Sequence, residues 1–143
     1  MQIGAYLNSI EQRVVSCQLG DSAQEVAKRL TDADIGAMPV VCHEGKIVGM
    51  ISERDLTNRL STMGSDVITL KVDDMLSKSV TFMGPSATLS DAFNTMRNRK
   101  FRHIPILDAG EIIGVISIRD VLEEFALEVG ALEDVSEELQ IDE

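Results

Sequence analysis

One pattern occurs twice in this chain, and any fold must accommodate both copies. Gly49-Met50-Ile51-Ser52-Glu53-Arg54-Asp55 returns as Gly114-Val115-Ile116-Ser117-Ile118-Arg119-Asp120. The second copy opens on Ile112, Ile113, Val115 and Ile116, a β-branched run suited to a strand covered on both faces. Ser117 then reads as a helix N-cap, with Asp120 three residues later as the acidic partner of a capping box. Ile118, Val121, Leu122, Phe125 and Ala126 follow at helical spacing.

The duplication extends well beyond these words. A shift of 66 residues places Val14 on Val80, Ser22 on Thr88, Leu30 on Met96 and Pro39 on Pro105. Ser22-Ala23-Gln24-Glu25 and Thr88-Leu89-Ser90-Asp91 both read as capping boxes opening amphipathic helices. The hairpin Asp108-Ala109-Gly110-Glu111 is one residue shorter than its counterpart, so the register becomes 65 and Ser52 falls on Ser117. Caps, proline, glycine and strand–helix junction in one register mark an internal repeat. Each unit reads as β-α-β-β-α, too small to bury a self-sufficient core. The pattern therefore predicts an α/β (α+β) fold in which two repeats pack as a pseudo-twofold pair. The expected divisions are an N-terminal helical segment over 1–13, repeats over 14–62 and 79–127, a linker over 63–78 and an acidic tail over 128–143. Ile3, Tyr6, Leu7 and Ile10 form the apolar face of the first segment, and Val72-Asp73-Asp74-Met75-Leu76 an amphipathic turn in the linker. Val14 to Cys17 reads as a short strand. In the tail, Val129, Leu132, Val135 and Leu139 keep helical spacing.

Charge narrows the partners. Twenty-four acidic residues against 13 basic ones leave a net charge of −11, a field that repels a nucleic-acid backbone. The basic residues are unevenly placed: Arg97, Arg99, Lys100 and Arg102 lie close together before His103, and none follows Arg119. Such a cluster suits either a solvated helix C-terminus or a pocket for a small anion. No basic stretch followed by an apolar run opens the chain, and no apolar run approaches the ~20 residues of a spanning helix. A cytoplasmic protein without membrane contact is the expectation. Cys17 and Cys42 are too few for a disulfide scaffold, and Cys42-His43 lacks further converging ligands for a metal. No Gly-rich phosphate loop or Gly-x-Ser-x-Gly turn appears, and Ser52 and Ser117 lack a base, so no catalysis is expected.

Phe101-Arg102-His103-Ile104-Pro105-Ile106, with Gly110 and Gly114 to Asp120, resembles a CBS domain, the module named after cystathionine β-synthase. Ile35 to Val41 with Gly49 to Asp55 resembles a second one. Together they look like a tandem pair, or Bateman module, similar to small bacterial proteins made of little else. The resemblance implies a disc-like homodimer that binds an adenosine-containing ligand between repeats and regulates a partner protein, with no required cofactor. AMP, ADP or ATP is the expected ligand, with S-adenosylmethionine or NAD(H) as alternatives and an interaction scaffold with empty clefts as another.

Carried over residue by residue, the resemblance implies that Asp55 and Asp120 hold ribose and that Ser52 and Ser117 hold ribose or phosphate. Met38, Pro39, Ile104 and Pro105 would wall the base, and Arg54, Arg102, His103 and Arg119 would meet phosphate. A carboxylate suits a cis-diol because it accepts two hydrogen bonds, and a helix start adds free N–H groups. The same Ser-x-x-Asp spacing is also simply a helix cap. Because Gly36-Ala37 stands where Arg102-His103 stands in the second repeat, the clefts are expected to differ, with Asp120 the more important aspartate. The apolar positions Leu56, Leu60, Val121, Leu122 and Phe125 are expected to lie between subunits of the dimer.

Overall fold

The computed structural model describes residues 1–130; the tail positions Leu132, Val135 and Leu139 lie outside the described residues. The order is α1 (Ile3–Ile10), β1 (Cys17–Gln18), α2 (Ala23–Ala33), β2 (Ala37–Val41), β3 (Ile47–Ser52) and α3 (Glu53–Met63). After a 3-10 turn over Gly64–Thr69 come α4 (Val72–Met75), α5 (Leu89–Arg99), β4 (His103–Asp108), β5 (Glu111–Ser117) and α6 (Ile118–Glu128). In the first repeat β1 pairs parallel with β2, which pairs antiparallel with β3; in the second, β4 and β5 form an antiparallel hairpin. Ala109 and Gly110 both take positive φ, 51° and 83°, which is what the tight two-residue turn between β4 and β5 requires.

Val14 to Cys17 forms a strand only at its end, where Cys17 pairs with Val40. Val14 and Val15 are half-buried without a strand partner, and their equivalents around Val80 make only the bridge Met83–Ile106. Cys17 is part of the core; burial pushes its thiol up to about 11, so it stays protonated. Ser22 accepts a bond from the Glu25 N–H but receives no reciprocal box, whereas Ser52–Asp55, Thr88–Asp91 and Ser117–Asp120 are complete boxes.

The chain buries two cores, one per repeat, and each is closed by a helix from elsewhere in the sequence. Helix α1 precedes the first repeat but docks on the second. Ile3, Tyr6 and Leu7 join Leu89, Met96, Ile104, Ile116 and Val121. Backbone bonds from Ile3 N–H to Ala87 O (2.8 Å) and Gly4 N–H to Pro85 O (2.9 Å) seat it. Helix α4, in the linker, does the same for the first repeat. Val72 and Met75 join Val26, Leu30, Met38 and Ile51, with Val72 N–H donating to Asp21 O at 2.8 Å.

The repeated glycines mark where these closing segments press on the sheets. A Cβ on Gly49 would stand 2.5 Å from Ser77 O, and one on Gly114 would stand 2.7 Å from Gln12 Oε1. Ser77 exchanges two backbone bonds with Met50, while the Gln12 side-chain amide exchanges two with Val115. One closing segment thus uses main chain where the other uses a side chain.

The helical face expected to be left open is narrower than the spacing suggests. Val121 is wholly buried in its own repeat, Phe125 packs edge-on to Phe93 at 6.0 Å, and Leu56 rests on the first core. Leu60 and Leu122 remain exposed, at 55% and 49%.

Candidate functional site

Each Ser-x-x-Asp junction opens a cavity whose opposite wall comes from the other repeat. The first cavity, about 290 Å³, joins Ser52, Arg54 and Asp55 to Val80, Thr81, Lys100, Phe101, Arg102 and His103. The second, about 560 Å³, joins Ser117, Arg119 and Asp120 to Val14, Val15, Asp34, Ile35, Gly36 and Ala37. A shift of 66 residues converts one borrowed wall into the other, so the cavities are equivalent positions of the duplication. Arg102, His103 and Glu53 border both.

Local sequence explains the aspartates. Asp55 Oδ2 accepts from Ser52 N–H (2.8 Å) and from Ser52 Oγ (3.0 Å), and Ser52 Oγ accepts from Asp55 N–H (3.2 Å). Asp120 Oδ2 accepts from Ser117 N–H at 2.9 Å, and Ser117 Oγ from Asp120 N–H at 3.0 Å. In both boxes one carboxylate oxygen does all the capping. Among the described residues, Oδ1 makes no hydrogen bond and can accept from a ligand hydroxyl. Capping and ligand contact are therefore compatible roles for one side chain, at a helix start that favours negative charge.

Met38, Pro39, Ile104 and Pro105, expected as walls for a base, line neither cavity. All four are buried, and Met38 and Ile104 have no exposed surface. They sit in the strands, beneath the helices of their own repeats; the entry to each strand, not its middle, reaches the cleft. The apolar walls are instead Val80 and Phe101 on one side and Val14, Val15 and Ile35 on the other. These residues escaped the sequence reading, although the repeat already paired Val14 with Val80.

The expected ranking of Asp120 above Asp55 places Arg102 and His103 beside Asp120 alone. Arg102 and His103 belong to the second repeat, but they and Lys100 stand across the cleft from Asp55. Arg102 and His103 border the cavity at Asp120 as well, and Lys100 borders only the one at Asp55. The inequality of Gly36-Ala37 and Arg102-His103 has a packing cause as well. A Cβ on Gly36 would lie 3.3 Å from both Cε1 and Nε2 of His103, so the ring already occupies the space beside Gly36.

Burial lowers the His103 pKa below its ordinary 6.5, with Arg102 acting in the same direction and Asp120 and Glu53 opposing. The ring is neutral at pH 7. An unfolded chain takes up the proton first on acidification, so this group erodes stability as pH falls below 6.5 and the loss is complete below its folded pKa. His103→Gln is expected to flatten that part of a denaturant-melt pH series between pH 7 and 5; an unchanged slope would refute the assignment.

The comparisons with known proteins agree with this architecture. The family model described as "CBS domain" matches residues 7–62 and 63–127. The CBS domain-containing protein YhcV of Bacillus subtilis is 27% identical over 114 residues, covering 80% of each chain. Two other relatives are longer: this chain's matches span 32% and 58% of their lengths. A crystal structure of a CBS-domain-containing protein from Agrobacterium tumefaciens superposes with a TM-score of 0.81 at 28% identity, covering 85% of this chain and 91% of that one. The structure of CBSX2 in complex with AMP is similar in fold, with a TM-score of 0.70 at 24% identity over 90% of this chain and 98% of the other. Among the described residues no helix is long and apolar enough to cross a membrane. With both repeats matched and nearly the whole described chain superposed, the protein belongs to the CBS-domain family as a tandem pair.

Proposed function

We propose that this chain is a non-catalytic regulatory module that binds an adenosine-containing ligand, AMP, ADP or ATP, in the clefts between its repeats. Occupancy would be passed to a partner protein. One observation carries the reading: two equivalent cavities each combine a capped aspartate with an uncommitted oxygen, a helix start and an apolar wall. The carboxylate fits ribose hydroxyls, the helix start fits phosphate, and Phe101 offers a ring beside the first cavity. CBSX2, similar in fold, is seen with AMP.

The reading includes a homodimer formed through the exposed Leu60 and Leu122 on α3 and α6. Sedimentation at micromolar concentration should give twice the chain mass; a monomer would refute that part. Mass spectrometry of the small molecules released from the purified protein tests the ligand class. An adenosine compound at a substantial fraction of the chain concentration is expected. A protein that carries none and takes up none when it is supplied would leave an interaction scaffold.

A further inference from the structure

The two clefts share a plan but not a charge. Arg54, Lys100 and Arg102 border the first cavity, and among the described residues none of the three is in an ion pair. Its carboxylates are Asp55, already engaged in capping, and Glu53. In the second cavity Arg119 is held by Glu123 at 3.0 Å, and Asp34, Glu53 and Asp120 face Arg13 and the shared Arg102. The molecule as a whole is strongly acidic, at −11. The first cavity sets three basic residues against two carboxylates, and the second sets Arg13, Arg102 and Arg119 against Asp34, Glu53, Asp120 and Glu123, so only the first is lined by a net positive charge.

We propose that the clefts are specialised. The cavity at Asp55 takes a nucleoside di- or triphosphate, and the cavity at Asp120 takes an adenosine derivative without a polyphosphate. This rests on the adenosine reading and adds to it which cleft accepts which charge. A chain of two or three phosphates entering the first cavity meets Lys100 and Arg102 across from the α3 helix start. In the second, the positions equivalent to Lys100 and Arg102 are Asp34 and Gly36, so it meets a carboxylate where the first cavity offers a cation. Size does not explain the division, since the second cavity is the larger. Charge does.

Calorimetric titration of the full chain with ATP and with adenosine tests this, using two variants with the same change of charge. Lys100 borders only the first cavity and Arg13 only the second; both are exposed. For the unmodified chain, ATP should saturate one site per chain and adenosine two. Lys100→Glu should weaken ATP at least tenfold and leave adenosine within about twofold, a retained affinity that also certifies the fold. Arg13→Glu should leave ATP within about threefold. Equal ATP losses in the two variants, a larger loss in Arg13→Glu, or two equivalent ATP sites would overturn the specialisation while leaving adenosine binding intact. A wild-type chain that binds neither compound would overturn the adenosine reading as well.

Discussion

Ile3→Ala is expected to destabilise the protein by about 2–5 kcal/mol, the range for removing a fully buried aliphatic side chain and leaving a cavity. The residue has no exposed surface, and it lies near the start of the chain, where a substitution would ordinarily be harmless. The expected cost follows from the crossed docking of α1 onto the second repeat's core. For a chain of this length, about 3 °C in melting temperature corresponds to each kcal/mol, so the loss should be roughly 6–15 °C. Val72→Ala tests the matching contact of α4 on the first repeat and should also destabilise, less because fewer carbons are removed. Leu60→Asn, on an exposed position, is the control for a measurement made on dilute protein. If Ile3→Ala changed stability by no more than about 0.5 kcal/mol, as an ordinary surface substitution does, α1 would not be closing the second core.

That crossing marks the boundary of what the sequence could disclose. Helical spacing identified Ile3, Tyr6 and Leu7, and Val72 and Met75, as apolar faces. Periodicity tells which side of a helix is apolar but not which core receives it, and nothing local distinguishes the nearer repeat from the farther. The family was legible because the Ser-x-x-Asp junctions are local, with cap, glycine and strand within a few residues. The cleft was legible by half. Ser52, Asp55, Ser117 and Asp120 line the cavities, but the opposite walls come from the other repeat. Met38 and Ile104 misled for a related reason: an apolar strand residue has the same signature whether its neighbour is a ligand or its own helix. Val14 and Val15, read as strand, have no strand partner and border a cleft, as do their equivalents Val80 and Thr81.

The second large effect is ligand-induced stabilisation. A ligand at a hundred times its dissociation constant that binds only the folded chain adds about 2.7 kcal/mol per independent site, equivalent to roughly 8 °C here. The structure suggests why the effect should depend on two aspartates. In each junction Oδ2 is committed to the cap and Oδ1 is not, so replacement by alanine removes both the acceptor for ribose and the reciprocal cap bond. The cap loss lowers the melting temperature of the free variant by itself, so the informative quantity is each protein's own ligand-dependent rise. Differential scanning calorimetry of the unmodified chain and of the Asp55→Ala/Asp120→Ala double variant, each with and without saturating ATP, measures this directly. The expected result is a rise of roughly 8 °C or more for the unmodified chain and a rise of less than about 2 °C for the double variant. The same rise in both proteins, or none in the unmodified chain with AMP, ADP, ATP, S-adenosylmethionine or NAD, would contradict ligand binding at the Ser-x-x-Asp clefts.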